Sequence, residues 1–190
     1  MSTSTADTAE ATPQATATPP LRPTWRFMLG HPAHWIALGF GSGLTRFAPG
    51  TVGTLWAWVG FLALYPFLSD RQWLTLIAIG FVVGCWASKT CAINLRIADS
   101  GHMGWDEVIA FWLVLWLVMP IGFTGQLLAF GLFRFFDAVK FGPTRWADQT
   151  FKGFGWRGGF GVMFDDLIAA AITLLVWALG VRFLPTLWPH

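Results

Sequence analysis

Residues 108–133 read Val-Ile-Ala-Phe-Trp-Leu-Val-Leu-Trp-Leu-Val-Met-Pro-Ile-Gly-Phe-Thr-Gly-Gln-Leu-Leu-Ala-Phe-Gly-Leu-Phe, 26 positions without an ionisable side chain. At 1.5 Å per residue the stretch is long enough for one tilted membrane span. Its centre, however, is Pro120-Ile-Gly-Phe-Thr-Gly125, stronger punctuation than a kink needs, because proline removes a backbone donor and the glycines relax the chain. Two short helices folded back as a hairpin are the other reading, and charge decides between the two. Three further uncharged segments, 51–68, 73–88 and 167–181, flank this one. The first two are separated only by Ser69-Asp-Arg-Gln72 and form a tight helical hairpin of their own. If 108–133 turns back on itself, Arg22, Arg26, Arg46, Lys89, Arg96, Arg134, Lys140, Arg145, Lys152 and Arg157 fall on one side, with Arg71 and Arg182 opposite: ten against two. A single span gives six against six. The positive-inside rule selects the hairpin and assigns the basic side to the cytoplasm.

The expected fold is therefore an all-α, polytopic membrane bundle of about five helices, two of them short and paired. Each short helix has about 12 strictly apolar residues, brief for a span. Composition agrees: 55% of residues are hydrophobic and 12% charged, with mean hydropathy +0.55. A net charge of +2 provides no basic face for nucleic acid. Residues 1–24, with six Thr, five Ala and three Pro in the first twenty positions, read as a disordered tail, leaving 25–190 as one integral-membrane domain. The tail lacks the apolar core of a signal peptide, and Asp7 and Glu10 precede its first basic residue, Arg22. Cys85 and Cys91 show no metal-ligand spacing and read as packing residues.

The hairpin has a chemical consequence. It gathers Asp99, Asp106, Glu107, Asp137, Asp148, Asp165 and Asp166, seven of the ten acids, on the cytoplasmic side. Trp105-Asp-Glu-Val begins the third helix, Arg134-Phe-Phe-Asp137 ends the fourth, and Phe164-Asp-Asp-Leu is expected to begin the fifth. Carboxylates at the edge of hydrocarbon are costly unless paired or bound to a cation. Asp106-Glu107 and Asp165-Asp166 offer the oxygen ligands that Mg²⁺ prefers; a plainer role, as helix-start charges stabilised by the dipole, would also account for either pair alone. Arg134, Asp137 and Lys140 recur every three residues, which suits either a phosphate-binding Arg and Lys flanking an acid or an ion-pair ladder at the headgroups. Gly39-Phe-Gly-Ser-Gly43, Pro49-Gly-Thr51 and Lys152-Gly-Phe-Gly-Trp-Arg-Gly-Gly-Phe-Gly161 lie on the same side as tight turns or phosphate cradles, making Ser42 and Thr51 candidate phosphate contacts. Gly80-Phe-Val-Val-Gly84 reads as a helix-packing motif.

Other phosphatase chemistries are excluded. Cys91 and Arg96 miss the spacing of a thiolate phosphate loop by one residue. Lys89, Arg96 and Ser100-Gly-His102 imitate part of a histidine-dependent lipid phosphatase signature, but the linker is too short and the only later histidine is His190. His102 is then a polar loop group or an auxiliary to the site, and His31 and His34 are expected at the interface.

Four blocks in order, Gly39-Phe-Gly-Ser-Gly-Leu-Thr-Arg-Phe-Ala-Pro-Gly-Thr-Val-Gly53, Trp105-Asp-Glu-Val-Ile-Ala110, Phe133-Arg-Phe-Phe-Asp-Ala-Val-Lys140 and Gly159-Phe-Gly-Val-Met-Phe-Asp-Asp-Leu-Ile-Ala-Ala170, resemble the phosphatidylglycerophosphatase A family of bacterial inner membranes over about residues 31–182. The resemblance implies a Mg²⁺-dependent, multi-pass inner-membrane enzyme of phospholipid biosynthesis. Its substrate would be phosphatidylglycerophosphate in the cytoplasmic leaflet, and its products phosphatidylglycerol and inorganic phosphate. It carries functional carboxylates onto Asp106, Glu107, Asp137, Asp165 and Asp166, a further acid onto Asp99, and Lys140. The expected roles are metal binding by Asp106, Glu107, Asp165 and Asp166; catalysis by Asp137, Asp106 and Asp166; phosphate contact by Arg134, Lys140, Ser42 and Thr51; and support from Asp99. The chain departs from the family at Lys140-Phe-Gly-Pro-Thr144 and Ala170. An ion-coupled transporter with a carboxylate cation site is the alternative, and it would require charges within spans and an internal repeat.

Overall fold

The structure is a computed structural model describing residues 21–97, 101–139, 142–151 and 153–184. Among them there is no β-strand. The helices are α1 (Trp25–Leu29), α2 (Pro32–Ala37), α3 (Pro49–Leu64), α4 (Asp70–Leu95), α5 (Trp105–Val118), α6 (Phe123–Val139), α7 (Gly142–Phe151) and α8 (Trp156–Phe183). Three stretches, Pro49–Phe67, Asp70–Leu95 and Trp156–Phe183, are long and apolar enough to cross a membrane. With α5 and α6 they make the expected bundle of five; α1, α2 and α7 are short additions that the apolar pattern does not announce. The tail lies outside the described residues up to position 20, and Leu21 N–H already bonds Leu95 O at 3.0 Å.

The proline-interrupted stretch does turn back. Met119 ends α5 in an extended conformation, and Pro120, which cannot donate, starts the link to α6. Gln126 closes the turn: its amide donates to Ile121 O at 3.1 Å, and its Oε1 accepts from Trp58 Nε1 of α3 at 2.7 Å. Trp112 Nε1 donates to Ala57 O of α3 at 2.7 Å, and Trp116 Nε1 to Asp70 Oδ1, the first residue of α4, at 3.1 Å. The hairpin thus reaches nearly the far end of the bundle although each arm is short.

α8 is the central strut, packed on α4, α5, α6 and α7. Its contact with α4 is made close by small residues: a Cβ on Gly159 would meet the Cys85 carbonyl and lie 2.9 Å from Lys89 N. Gly80 and Gly84 of α4 serve α5 and α8 within the chain, as the packing reading expects. Gly80 O accepts from Trp105 Nε1 at 2.9 Å, and a Cβ on Gly84 would sit 2.5 Å from Met163 Sδ.

Both α4 and α8 outrun the apolar segments that mark them. The segment 73–88 lies inside a 26-residue helix, and 167–181 inside a 28-residue one. Asp165 and Asp166 consequently do not begin the last helix: it starts at Trp156, so they sit in its third turn, about 15 Å along it. One smaller expectation also changes. His34 is buried rather than interfacial, with Nδ1 on Phe27 O and Nε2 on Asn94 Nδ2, both at 2.8 Å, and burial holds its pKa below the ordinary imidazole value. Trp105 is half-buried against α4, whereas Trp146 and Trp156 are exposed.

Candidate active site

The first turn of α5 presents the first acid pair. Gly104, preceding the helix, donates its N–H to Ala37 O at 2.9 Å and so hangs the start of α5 on α2. Asp106 Oδ1 accepts the Glu107 N–H at 3.0 Å, and negative charge is favoured in this turn by the helix dipole. Glu107 points back toward α3, where Gly50 and Gly53, three residues apart, open one helix face to it. A Cβ on Gly53 would collide with Glu107 Oε2, and one on Gly50 with Glu107 Oε1 while standing 2.6 Å from Arg134 Nη2.

From α6 comes Arg134, whose Nη1 lies 3.2 Å from Glu107 Oε1, 2.6 Å from Asp137 Oδ2 and 3.4 Å from Thr54 Oγ1. Arg134 and Asp137 are the expected i,i+3 pair, turned inward. The third contribution is from α8, where Asp166 N–H donates to Asp165 Oδ1 at 3.1 Å. That pair gets no help from a helix start, which removes the dipole as an explanation for it.

Asp106, Glu107, Arg134, Asp137, Asp165 and Asp166 line one cavity of 250 Å³, together with Gly50, Gly101 and Met103. Asp106 lies within electrostatic reach of Glu107, Asp165 and Asp137, and Asp166 within reach of Asp137, Asp106, Asp165 and Glu107. Five carboxylates therefore face one guanidinium. Glu107, Asp165 and Asp166 are each less than a tenth exposed, so water cannot compensate them. Glu107 Oε2, Asp166 Oδ2 and Arg134 Nε are buried with no hydrogen-bond partner. Such orphaned carboxylate oxygens carry a desolvation penalty of several kcal/mol unless a cation meets them.

An all-oxygen, mostly carboxylate donor set with two unpartnered oxygens fits a hard divalent cation. Among the described residues no three such side chains already form a closed ligand cage. Mg²⁺ does not require one, since it keeps waters and is commonly held by one or two carboxylates together with substrate phosphate.

Other expected residues are placed differently. Ser42 is buried with its Oγ directed to Leu38 O at 3.5 Å, and Thr51 is half-buried in the first turn of α3; neither is part of the cavity lining. Lys140 and Asp99 lie outside the described residues. Gly39-Phe-Gly-Ser-Gly43 is a tight turn with Gly39, Phe40 and Gly41 at positive φ. The later glycine stretch divides: Gly153 and Gly155 make a turn, and Gly158, Gly159 and Gly161 are helical residues in close packing. His102 donates from Nδ1 to Gly43 O at 2.8 Å and braces the loop before α5. Gly53 and Thr54 were not singled out for the site, and Gly50 only as part of the Pro49-Gly-Thr51 turn, although the i,i+3 spacing of the two glycines placed a bare face toward whatever α3 packs on.

Residues 35–181 match the family model Phosphatidylglycerophosphatase A. Phosphatidylglycerophosphatase A of Haemophilus influenzae is 34% identical over 154 residues, covering 81% of this chain and 91% of the relative. That of Escherichia coli K12 is 31% identical over 163 residues, covering 82% and 91%. A Bacteroides thetaiotaomicron protein, provisionally named a phosphatidylinositol-3-phosphatase, is 34% identical over 158 residues, covering 76% and 94%. No solved structure matches the chain.

Proposed function

This chain belongs to the phosphatidylglycerophosphatase A family and is a phosphatase; on that premise we propose that it hydrolyses phosphatidylglycerophosphate to phosphatidylglycerol and inorganic phosphate, with Mg²⁺, as a step in phospholipid biosynthesis. The observation that supports this most is the convergence of five carboxylates and Arg134 on one cavity, because so much buried negative charge is tolerable only opposite cations. Asp106, Glu107, Asp165 and Asp166 would hold the metal. When bound, Mg²⁺ would supply charge neutralisation to the phosphate oxygens and polarise phosphorus toward attack.

The remaining work falls to side chains. Arg134 clamps Glu107 and Asp137 in place through Nη1 and lends positive charge to a phosphate in the cavity. Asp137, with one oxygen on Arg134, uses its other oxygen to orient the attacking water and take its proton. The water oxygen bonds to phosphorus, the bond to the glycerol oxygen breaks, and that oxygen leaves as the hydroxyl of phosphatidylglycerol, the proton taken up by Asp137 returning to it through solvent. Lys140, which follows α6 in the sequence, would serve the same phosphate, and Asp99, which precedes α5 in the sequence, would support the cluster.

Membrane embedding suits this substrate. From Asp166 to Arg182 α8 rises about 24 Å, close to the thickness of hydrocarbon, which sets the acids near one lipid–water boundary. The ten-to-two distribution of Lys and Arg supports the cytoplasmic face of a bacterial inner membrane. The headgroup is then met where it lies, and the acyl chains stay in the leaflet. Phosphate release from phosphatidylglycerophosphate by the detergent-solubilised protein, with and without chelator, tests the proposal: release that requires added Mg²⁺ supports it, and release unaffected by chelation removes the metal.

A further inference from the structure

Beside the acidic cavity lies a larger one of opposite charge. Arg22, Thr24, Leu44, Thr45, Arg46 and His102 line a cleft of 700 Å³, and no carboxylate belongs to its lining among the described residues. Two stretches of chain separate the cavities. In one, Gly101 and Met103 face the acidic cavity while His102 between them faces the cleft. In the other, residues 44–46 line the cleft and Gly50, the second residue of α3, lines the acidic cavity. The bond from His102 Nδ1 to Gly43 O at 2.8 Å ties the stretches together, and a Cβ on Gly43 would collide with His102 O. Along the first stretch neighbouring residues alternate between the two cavities, with all five carboxylates on one side and Arg22 and Arg46 on the other.

We propose that this cleft is a second anion subsite, which holds the internal phosphodiester of the lipid while the terminal phosphate occupies the acidic cavity. The inference rests on the phosphatase reading above. A headgroup with a monoester and a diester joined by one glycerol brings two anions to neighbouring places. The cleaved anion needs the cation-loaded carboxylates, whereas the retained diester would be repelled by any carboxylate left over. Arg22 and Arg46, on the far side of a thin wall, offer guanidinium forks that match the two non-bridging oxygens of a diester. The cleft so distinguishes a diester-linked phosphomonoester lipid from a plain phosphomonoester, and it retains a grip on the product.

The test uses the full chain in neutral-detergent mixed micelles. In the Arg22→Gln/Arg46→Gln double variant, KM for phosphatidylglycerophosphate should rise roughly tenfold with kcat within about twofold, a modest change because both arginines are exposed. Inhibition by phosphatidylglycerol should weaken in parallel, and inhibition by inorganic phosphate should not change. Arg26→Gln, an exposed charge outside the cleft, should leave all three constants alone. An unchanged KM, or equal weakening of inhibition by phosphatidylglycerol and by phosphate, would overturn the subsite; a matching effect of Arg26→Gln would reduce it to general surface charge. A wild-type protein inert toward phosphatidylglycerophosphate would instead defeat the phosphatase reading. Native mass spectrometry of phosphatidylglycerol retained by wild type and double variant would still decide the cleft, with equal retention counting against it.

Discussion

The two ends of the α5–α6 hairpin bury polar groups in opposite ways. At the tip every named group has a partner: Gln126 accepts from Trp58 and donates to Ile121 O, Trp112 bonds Ala57 O, and Trp116 bonds Asp70. At the base, Glu107 Oε2, Asp166 Oδ2 and Arg134 Nε are buried without one. At the tip the hairpin's own polar atoms hold helices together, and the one neighbour left over among the described residues there is the neutral Trp73 Nε1, packed on Trp112. At the base the atoms left over belong to charged groups, the place where the proposed cation would sit. A satisfied buried network indicates architecture, and an unsatisfied one indicates where a ligand belongs.

Substitutions at the two ends should therefore separate activity from stability. Asp166→Asn is expected to lower kcat about a thousandfold or more, while the thermal midpoint in detergent stays level or rises, because an uncompensated buried charge has been removed. A coincident fall in midpoint and activity would erase the distinction. Gly50→Ala should lower kcat about a hundredfold, since its Cβ displaces Glu107 and Arg134 and misplaced catalytic groups lose that much; phosphate-release kinetics on the folded fraction would read it. At the tip the effect should reverse. Gln126→Leu strands the buried Trp58 N–H and is expected to destabilise by about 1–3 kcal/mol in a denaturation series, with kcat per folded molecule within about twofold of wild type. Trp116→Phe, which loses a bond at an exposed position, should destabilise least, by about 1 kcal/mol or less.

Much of this contrast was legible in the sequence, for reasons particular residues make plain. Pro120, in the middle of an apolar stretch and followed by glycines, interrupts a helix, and the hairpin sorts the basic side chains ten against two where a single crossing gives six against six. The acids declared themselves because ionised groups beside hydrocarbon require partners. Hydropathy, however, marks the membrane and not the helix. Ser88, Lys89 and Thr90 continue α4, and Trp156 through Phe164 precede Asp165 within α8, since nothing in those residues stops a helix once neighbours pack against it. Gly158, Gly159 and Gly161 read as loop because glycine usually is; their cause is close approach, of the Gly153 turn to Gly158, of α4 to Gly159 and of α7 to Gly161. Arg134 could be assigned to the site from its spacing, but its engagement with Glu107, 27 positions earlier, depends on how α5 and α6 face each other.

The continuous α8 also works as a depth gauge. With Asp166 in its third turn and Arg182 in its last, the placement proposed above would pin in the opposite headgroup layer the same rod that carries two of the five acids, so that bilayer thickness would fix how far those carboxylates stand from the near surface. A bilayer swollen by several ångströms must either dimple around the protein or draw the acids under oil.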